Sequence, residues 1–255
     1  MSLNHAALAE ELHLARKERR EVAALTDRGD VSLDDAYSVQ EHGIRLREGD
    51  GETVIGGKLG FTSEAMRKAM GVEQPNYGWL TGPMHLADGL VDLDAFIHPK
   101  AEPEIAFLLQ GDLGPDASPD DVLKATAGVA ASLEVVDSRF RSFVFRAPDN
   151  IADDSSAAGF VLGGSLVQPE DLGHVGVVMM VNGEVFATAA GAAVMPDPAS
   201  AVAWMARAVH AAGARGLRRG DIVLSGGLTA PVTLTSGMTI TVEIDRIGSA
   251  WLRVR

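Results

Sequence analysis

The hydrophobic and polar positions divide the chain into a helical N-terminal part and a longer part rich in short apolar runs. Over residues 8–25, apolar residues recur at roughly helical spacing among charges, which predicts an amphipathic helix. Ser32 precedes Asp35 by three positions, an approximate capping box that predicts a second helix running toward Arg47. We expect these helices, within a unit of residues 1–50, to form a cap or an oligomerisation arm.

The following stretch changes character several times. Glycines interrupt any helix around Lys58, so residues 53–59 are predicted to form a short strand that places Lys58 within it or at its edge. Residues 63–70 return to a helical pattern. Residues 75–83 begin and end with proline and are predicted to be a loop.

Beyond Pro99 the apolar runs are short and are separated by glycine, aspartate and proline, as in strands joined by turns. The runs cover residues 105–109, 129–136, 160–167, 175–181, 222–224 and 238–244. Only residues 199–212, which follow Pro198, predict a clear later helix. Many short strands and few helices favour an α+β domain over residues 51–255, built on a strongly curved, mainly antiparallel sheet.

Composition narrows the possible partners. The net charge of −13 opposes nonspecific attraction to nucleic acid or anionic lipid, so neither is expected as a partner. The chain has no cysteine, so any metal must be held by oxygen or imidazole ligands. The charged N-terminus lacks a signal-peptide pattern and no run approaches a membrane span of about 20 apolar residues, so we expect a cytoplasmic protein.

Three glutamates carry the sharpest chemical signal. Glu102 and Glu104 are two positions apart, so an extended backbone points both carboxylates to one side. Glu134 interrupts an otherwise small or apolar strand, where an unpaired charge is costly and requires a cation, a proton or a hydrogen-bonding partner. Together they predict a site for magnesium or manganese with room for a 2-oxo acid. The alternative is a set of surface ion pairs with Lys100 or an arginine.

Other residues are weaker candidates. Lys58 sits among glycines and is able to donate to a substrate oxygen, or else is a solvated lysine. Arg139 is a candidate for binding a substrate carboxylate, as is Arg141, with pairing to Asp137 as the alternative. Residues 153–156 are either a substrate-binding loop or a solvated turn.

One further candidate is an anion-binding turn at residues 226–229, where backbone N–H groups and the Thr229 hydroxyl could face an anion, although a plain hairpin turn would look similar. The seven histidines have no metal-ligand spacing, and no nucleophile elbow, P-loop or dinucleotide fingerprint is present.

Four ordered blocks resemble one family. They are Gly57-Lys58-Leu59-Gly60-Phe61-Thr62-Ser63, Glu102-Pro103-Glu104-Ile105-Ala106-Phe107, Leu133-Glu134-Val135-Val136-Asp137-Ser138-Arg139 and Ala152-Asp153-Asp154-Ser155-Ser156. Together they resemble the 2-keto-4-pentenoate hydratase and 4-oxalocrotonate decarboxylase family of the fumarylacetoacetate hydrolase superfamily. The resemblance implies that superfamily's C-terminal fold, with a curved mixed sheet or barrel core and an N-terminal helical cap.

The resemblance also implies a set of site residues. A magnesium or manganese ion is expected on Glu102, Glu104 and Glu134, with Lys58 and Ser156 as catalytic residues near the substrate. Arg139, Asp153 and Thr229 are expected substrate contacts. A homo-oligomer and an association with a partner hydratase are expected as well.

The chain departs from the family pattern at three places. Asp154 stands where the family commonly has asparagine, and Pro196 where glycine followed by histidine or asparagine is frequent. Gly82 falls in a loop that often carries a carboxylate. We expect these changes to affect substrate identity more than metal binding.

The activity that the resemblance implies is metal-dependent decarboxylation of 4-oxalocrotonate (2-oxohex-3-enedioate) to 2-hydroxypenta-2,4-dienoate in meta-cleavage aromatic catabolism. The alternative is a 2-keto-4-pentenoate hydratase, which adds water to give 4-hydroxy-2-oxopentanoate. Residues 137–140, with Phe143 and Phe145, resemble the decarboxylase branch, and aromatic walls favour loss of a carboxylate away from water. An acylpyruvate-type carbon–carbon hydrolase and a nonenzymatic scaffold are further alternatives.

Overall fold

The computed structural model describes residues 3–255, which form six α-helices and twelve β-strands. The helices are α1 (His5–Glu18), α2 (Leu33–Gly49), α3 (Glu64–Met70), α4 (Pro119–Ala125), α5 (Ala147–Ala152) and α6 (Pro198–Ala211). The strands are β1 (Val54–Gly60), β2 (Asn76–Thr81), β3 (Leu90–Val91), β4 (Lys100–Leu109), β5 (Thr126–Val136), β6 (Ala157–Leu162), β7 (Gly176–Val181), β8 (Glu184–Ala190), β9 (Ile222–Leu224), β10 (Val232–Thr233), β11 (Thr239–Ile244) and β12 (Gly248–Val254).

The strands form two sheets. The first has the order β2–β1–β9–β4–β5–β6, with β10 also paired to β4, and the second has the order β3–β12–β11–β7–β8. Only the β1–β9 and β12–β3 pairs are parallel. The predicted α+β class and mainly antiparallel pairing are confirmed, with two sheets in place of the single curved sheet that was expected.

One apolar core lies between the sheets. Its buried side chains include Phe107 of β4, Leu133 of β5, Met179 of β7, Leu252 of β12 and Met205 of α6. Strand β4 sends Ile105 and Phe107 into this core, and the pleat therefore turns Glu102 and Glu104 to the opposite face.

The two N-terminal helices pack over a second, smaller core. Helix α2 begins at the predicted capping box, in which Ser32 and Asp35 each accept a hydrogen bond from the other's backbone N–H. The apolar faces of α1 and α2 meet Phe140 and Ile151 from the rest of the chain. The first two residues of the predicted 1–50 arm lie outside the described residues.

Several predicted elements need correction. The helix predicted over residues 8–25 ends at Glu18, because Arg19 is left-handed and Val22 forms a parallel bridge with Phe140. The loop predicted over residues 75–83 contains β2, an entirely buried strand that pairs with β1. Lys58 therefore lies on an interior strand, between β2 and β9.

Other elements were missed by the sequence patterns. They are the helices α4 and α5 and the strands β3, β8, β10 and β12. No helix within residues 3–255 combines the length and apolar character that crossing a bilayer requires.

Candidate metal centre and active-site cavity

Three carboxylates converge on adjacent strands of the first sheet. Glu102 of β4 lies directly across from Glu134 of β5 in the antiparallel register, and Glu104 is two positions further along the same face of β4. One carboxylate oxygen from each residue lies within 4.8 Å of the other two. Strand pairing alone therefore assembles the predicted acidic cluster.

The cluster is short of hydrogen-bond donors. Oε1 of Glu104 and Oε1 of Glu134 are buried and accept a hydrogen bond from no group within residues 3–255. Buried carboxylate oxygens without partners are costly, and a hard cation with oxygen ligands would satisfy them. Three carboxylate ligands suit magnesium or manganese.

The charge balance of the cluster agrees with that fit. Burial and the neighbouring Glu134 raise the pKa of Glu102 to about 7, against the opposing effect of Lys58. Burial, followed by the charge of Glu134, raises the pKa of Glu104 well above its usual value. The three groups repel one another in the absence of a positive charge among them.

Lys58 supplies the one ammonium group within contact distance of this cluster among the described residues. Its Nζ lies 3.1 Å from Oε2 of Glu134 and is buried. Burial opposes the charged form, but the carboxylates of Glu134, Glu104 and Glu102 outweigh it and raise the pKa of Lys58. The ammonium form is therefore held at the edge of the acidic cluster.

A glycine turn after β9 closes the other side of the cluster. The Gly226 N–H donates to Oε2 of Glu104 at 2.7 Å. A Cβ on Gly227 would lie 2.7 Å from Oε2 of Glu102, so a side chain at this position would force the carboxylate to move. Within the predicted anion-binding turn at residues 226–229, the Gly226 N–H thus meets the protein's own carboxylate, whereas Thr229 lines the cavity.

A cavity of about 580 Å³ opens in front of these residues. Glu102 and Lys58 line it together with Ser156 and Thr229, while Glu104 and Glu134 lie buried behind. Helix α3 contributes apolar side chains to its wall, and Lys100, Phe143 and Phe145 complete the rim. The sequence blocks quoted for the resemblance thus meet at one site.

Arg139 and Asp153 do not reach this cavity. The Arg139 guanidinium pairs with the Asp153 carboxylate, and its Nη2 also donates to the Asp153 carbonyl at 2.6 Å. Neither residue lines the cavity. Asp137, the alternative partner expected for Arg139, instead accepts the backbone N–H groups of Ile97 and His98. The pair fastens the loop beneath the site.

The loop after α5 has an unusual backbone. Asp154, Ser155 and Ser156 are consecutive residues with φ of 53°, 52° and 58°. The left-handed region is unfavourable for residues other than glycine, and such residues concentrate at functional sites. Trp79 N–H donates to Oδ1 of Asp154 at 2.7 Å and helps to hold this conformation.

Sequence reasoning missed Asn76 and Asn150. Their buried amides join Ser155 to Ser156 by hydrogen bonds, and Asn150 also lines the cavity. Asn76 lies in the stretch predicted as a loop, and Asn150 lies in the missed helix α5. No spacing signal singled them out.

Comparisons with known proteins agree with this geometry. The family model for the fumarylacetoacetate (FAA) hydrolase C-terminal domain matches residues 83–255. The chain is 39% identical over 245 residues to a 2-hydroxyhexa-2,4-dienoate hydratase of Comamonas testosteroni, covering 93% of this chain and 92% of the relative. It is 39% identical over 252 residues to a 4-oxalocrotonate decarboxylase of Pseudomonas sp. (strain CF600), covering 97% and 95%.

A solved structure matches over the whole chain. It is the 4-oxalocrotonate decarboxylase from Pseudomonas putida G7 complexed with magnesium and adipate, with a TM-score of 0.95, 36% identity and coverage of 100% of this chain and 99% of the other. The resemblance inferred from the four sequence blocks is confirmed. The chain belongs to the fumarylacetoacetate hydrolase family, in its group of 2-keto-4-pentenoate hydratases and 4-oxalocrotonate decarboxylases.

Proposed function

We propose that the chain is a lyase that requires magnesium or manganese and decarboxylates 2-oxohex-3-enedioate (4-oxalocrotonate) to 2-hydroxypenta-2,4-dienoate. The observation that carries this proposal is the convergence of Glu102, Glu104 and Glu134 beside Lys58 at one cavity. An acidic scaffold would have no reason to bury orphaned carboxylate oxygens at the base of an open cavity.

Support for a six-carbon diacid comes from the cavity rim. Lys100 precedes Glu102 by two residues on the same face of β4, roughly 7 Å along the strand. Its Nζ lies 3.9 Å from the centre of the Phe143 ring, and it forms no ion pair with any residue in the described part of the chain. A substrate with its 2-oxo acid end at Glu102 would bring a distal carboxylate toward Lys100. The decarboxylase of similar fold was solved with adipate, a six-carbon diacid.

The three glutamates would hold the metal ion. When bound, a divalent cation supplies Lewis-acid stabilisation of the negative charge that develops on the substrate's 2-oxo oxygen. The protein's part is to fix the ligand oxygens, through the β4–β5 register and the Gly226 N–H, before the substrate arrives.

The chain's own residues then assist the bond cleavage. The bond between C5 and C6 breaks, carbon dioxide leaves, and the electron pair passes through the C3=C4 double bond to the 2-oxo oxygen, which takes a proton. Lys58, held as an ammonium group, is placed to donate a hydrogen bond or that proton. Phe143 and Phe145 form the apolar part of the cavity rim, which keeps water from the departing carboxylate.

A hydratase acting on 2-hydroxypenta-2,4-dienoate is the second candidate. The equal identity of 39% to a 2-hydroxyhexa-2,4-dienoate hydratase favours it. A carbon–carbon hydrolase would need a base for water, and no histidine lines the cavity as described. His98 and Glu21, a histidine–glutamate pair, lie outside the cavity lining.

Product analysis tests the proposal. The protein is incubated with 2-oxohex-3-enedioate and with 2-hydroxypenta-2,4-dienoate, with magnesium or with a chelator, and the products are identified by mass spectrometry. Magnesium-dependent release of carbon dioxide from the first compound supports the decarboxylase. Water addition to the second without decarboxylation of the first would establish the hydratase, and no reaction of either would overturn both.

The N-terminal unit has a proposed role as well. Helices α1 and α2 are proposed to act as a cap or oligomerisation arm on a catalytic domain of residues 51–255. Their shared core with Phe140 and Ile151 supports the capping role, because both residues flank segments that reach the cavity. A homo-oligomer and an association with a partner hydratase remain proposals.

A further inference from the structure

A series of side-chain hydrogen bonds, called the relay below, runs beneath the cavity from Lys58 to Ser156 by way of Ser155, Asn76 and Asn150. Lys58 Nζ donates to the Ser155 carbonyl at 3.1 Å and to Ser155 Oγ at 3.4 Å, and Ser155 Oγ donates to Oδ1 of Asn76 at 3.0 Å. Nδ2 of Asn76 donates to Oδ1 of Asn150 at 2.8 Å, and Nδ2 of Asn150 donates to Ser156 Oγ at 3.0 Å. All five residues are buried.

Every link in this relay points the same way. An ammonium group has donors only, so the first link fixes Ser155 Oγ as an acceptor from Lys58 and leaves its proton for Asn76. Each amide then accepts through oxygen and donates through nitrogen. At the end, Ser156 Oγ accepts from Asn150, and its own O–H is not used by any residue within 3–255. Ser156 lines the cavity.

The two serines of the relay are held by an unfavourable backbone conformation and by a close approach to a glycine. Ser155 and Ser156 are left-handed residues, a conformation that is unfavourable for residues other than glycine. Gly60 leaves the space that Ser155 requires, because a Cβ there would lie 2.7 Å from Ser155 Oγ. The fold therefore accepts strain to place these two hydroxyls.

We propose that Asn76 and Asn150 are positioning residues that fix the Ser156 hydroxyl as a hydrogen-bond donor to an anionic oxygen of the bound 2-oxo acid. The inference rests on the proposed function for the identity of that ligand. Ser156 is assigned the donor role because its Oγ already accepts from the amide nitrogen of Asn150, which directs its O–H away from Asn150. Asn76 does not line the cavity, and it contacts the cavity-lining residues Asn150 and Ser155 through its amide nitrogen and oxygen respectively.

The test is a substitution at Asn76 that reverses the direction of the hydrogen bonds from Asn76 to Ser156. In Asn76→Asp the new carboxylate only accepts, so the Asn150 amide must turn its nitrogen toward position 76 and its oxygen toward Ser156. Ser156 then donates to Asn150, and its proton is lost to the ligand. We expect Asn76→Asp and Ser156→Ala each to weaken binding of 2-oxoadipate, which lacks the conjugated double bond, by roughly tenfold or more in calorimetry with saturating magnesium.

The double variant Asn76→Asp/Ser156→Ala shows whether Asn76 acts by positioning the Ser156 hydroxyl or only supports the local structure. With the relay as proposed, the double variant binds 2-oxoadipate as weakly as Ser156→Ala alone, because both changes remove one donor. Additive losses would overturn the proposal, as would unchanged binding in Asn76→Asp. Asn182→Asp, on an exposed turn where Oδ1 accepts from Thr239 N–H, is the matched control and should bind like the wild type.

A separate measurement of magnesium affinity and a replacement variant complete the test. Magnesium affinity, measured separately, should stay within about twofold in Asn76→Asp, since no glutamate is altered. If Asn76→Asp does not fold, Asn150→Asp replaces it, because a carboxylate at 150 likewise forces Ser156 to donate to it. A wild-type protein that fails to bind 2-oxoadipate refutes the proposed function, whereas equal binding by wild type and Ser156→Ala refutes the relay.

Discussion

Lys100 is the cavity's second ammonium group, and its position on β4 makes it a test of substrate choice. Lys100→Met keeps the length of the side chain and removes the charge. We expect the KM for 2-oxohex-3-enedioate to rise by roughly tenfold or more, because a charge-assisted hydrogen bond to the distal carboxylate of the bound substrate is lost. Binding of a 2-oxo acid without a distal carboxylate, measured by calorimetry with magnesium, should change little. Equal losses for both compounds would remove Lys100 from recognition of the distal carboxylate, and Lys124→Met on α4 is the control.

Gly227 is required by the space beside Glu102, not by its own backbone angles. In Gly227→Ala the new methyl group would lie 2.7 Å from Oε2 of Glu102, so the carboxylate must move. We expect magnesium affinity to fall by roughly tenfold to a hundredfold in calorimetry, the usual cost of disturbing a ligand's support. Gly164→Ala, where a Cβ has open space, should bind magnesium normally. Normal affinity in Gly227→Ala would contradict the proposed role of Glu102.

Asp154 carries a stability cost that depends on pH. Burial raises its pKa to about 7, although Arg47 and the Trp79 N–H oppose the shift. The folded state therefore binds more protons than the unfolded state between about pH 4 and pH 7, and stability falls as pH rises through that window. The full cost is present above pH 7.

Asp154→Asn should remove that cost. We expect the free energy of unfolding in urea to rise by on the order of 2 kcal/mol at pH 8 and to change little at pH 4.5. Parallel pH dependences in the two proteins would show that Asp154 does not titrate in this window. Asparagine adopts left-handed backbone angles more readily than most residues, so the variant should retain the left-handed loop.

At the scale of elements, Gln40 ties the N-terminal helices to the site. Its Nε2 donates to the carbonyls of Tyr77 on β2 and Ile151 on α5, both at 2.9 Å. Gln40→Leu leaves two buried carbonyls without this donor, and we expect unfolding to become easier by about 2 kcal/mol. Gln168→Leu removes an exposed contact to Ala127 and should change stability by less than about 0.5 kcal/mol. Equal effects would mean that α2 is not anchored through Gln40.

Elements with a strong local signal were predictable. The Ser32–Asp35 capping box located α2, and the apolar run at residues 222–224 located β9. Strand β2 was not predictable, because its proline and glycine neighbours suggest a loop and only its pairing with β1 makes it a strand. Strand β8 was missed because Val185 and Phe186 lie on an exposed edge without the usual alternation.

The site divides in the same way. The three glutamates were found because charge within an apolar strand is conspicuous, and Lys58 because glycines surround it. The pairing of Arg139 with Asp153 depends on how the loop after α5 folds back, which no local pattern encodes. Asn76 and Asn150 are ordinary asparagines until β2 and α5 bring their amides together.

At the scale of the whole molecule, metal binding and stability are linked. Without a cation, the raised pKa of Glu102, about 7, and of Glu104 makes the fold less stable as pH rises through neutrality, by the same sign as for Asp154. Magnesium should reverse this trend, since it favours the ionised carboxylates.

The corresponding measurement is thermal unfolding at pH 8. With magnesium at about a hundred times its dissociation constant, linkage gives about 2.7 kcal/mol, a rise in Tm of roughly 5–10 °C. Glu102→Gln should lose most of this rise, whereas Glu243→Gln, an exposed residue of β11, should keep it. A rise of the same size in Glu102→Gln would place the cation elsewhere.

The position of β9 has a consequence for synthesis on the ribosome. Strands β1 and β4 both pair with β9, which is synthesised more than a hundred residues after β4. Glu104 likewise accepts a hydrogen bond from the N–H of Gly226, just after β9. A nascent chain that has not yet exposed this segment carries its acidic strands without their central neighbour. Completion of the acidic cluster therefore requires that residues 222–226 have been synthesised and have left the ribosome, and a chain truncated before residue 226 should fold incompletely.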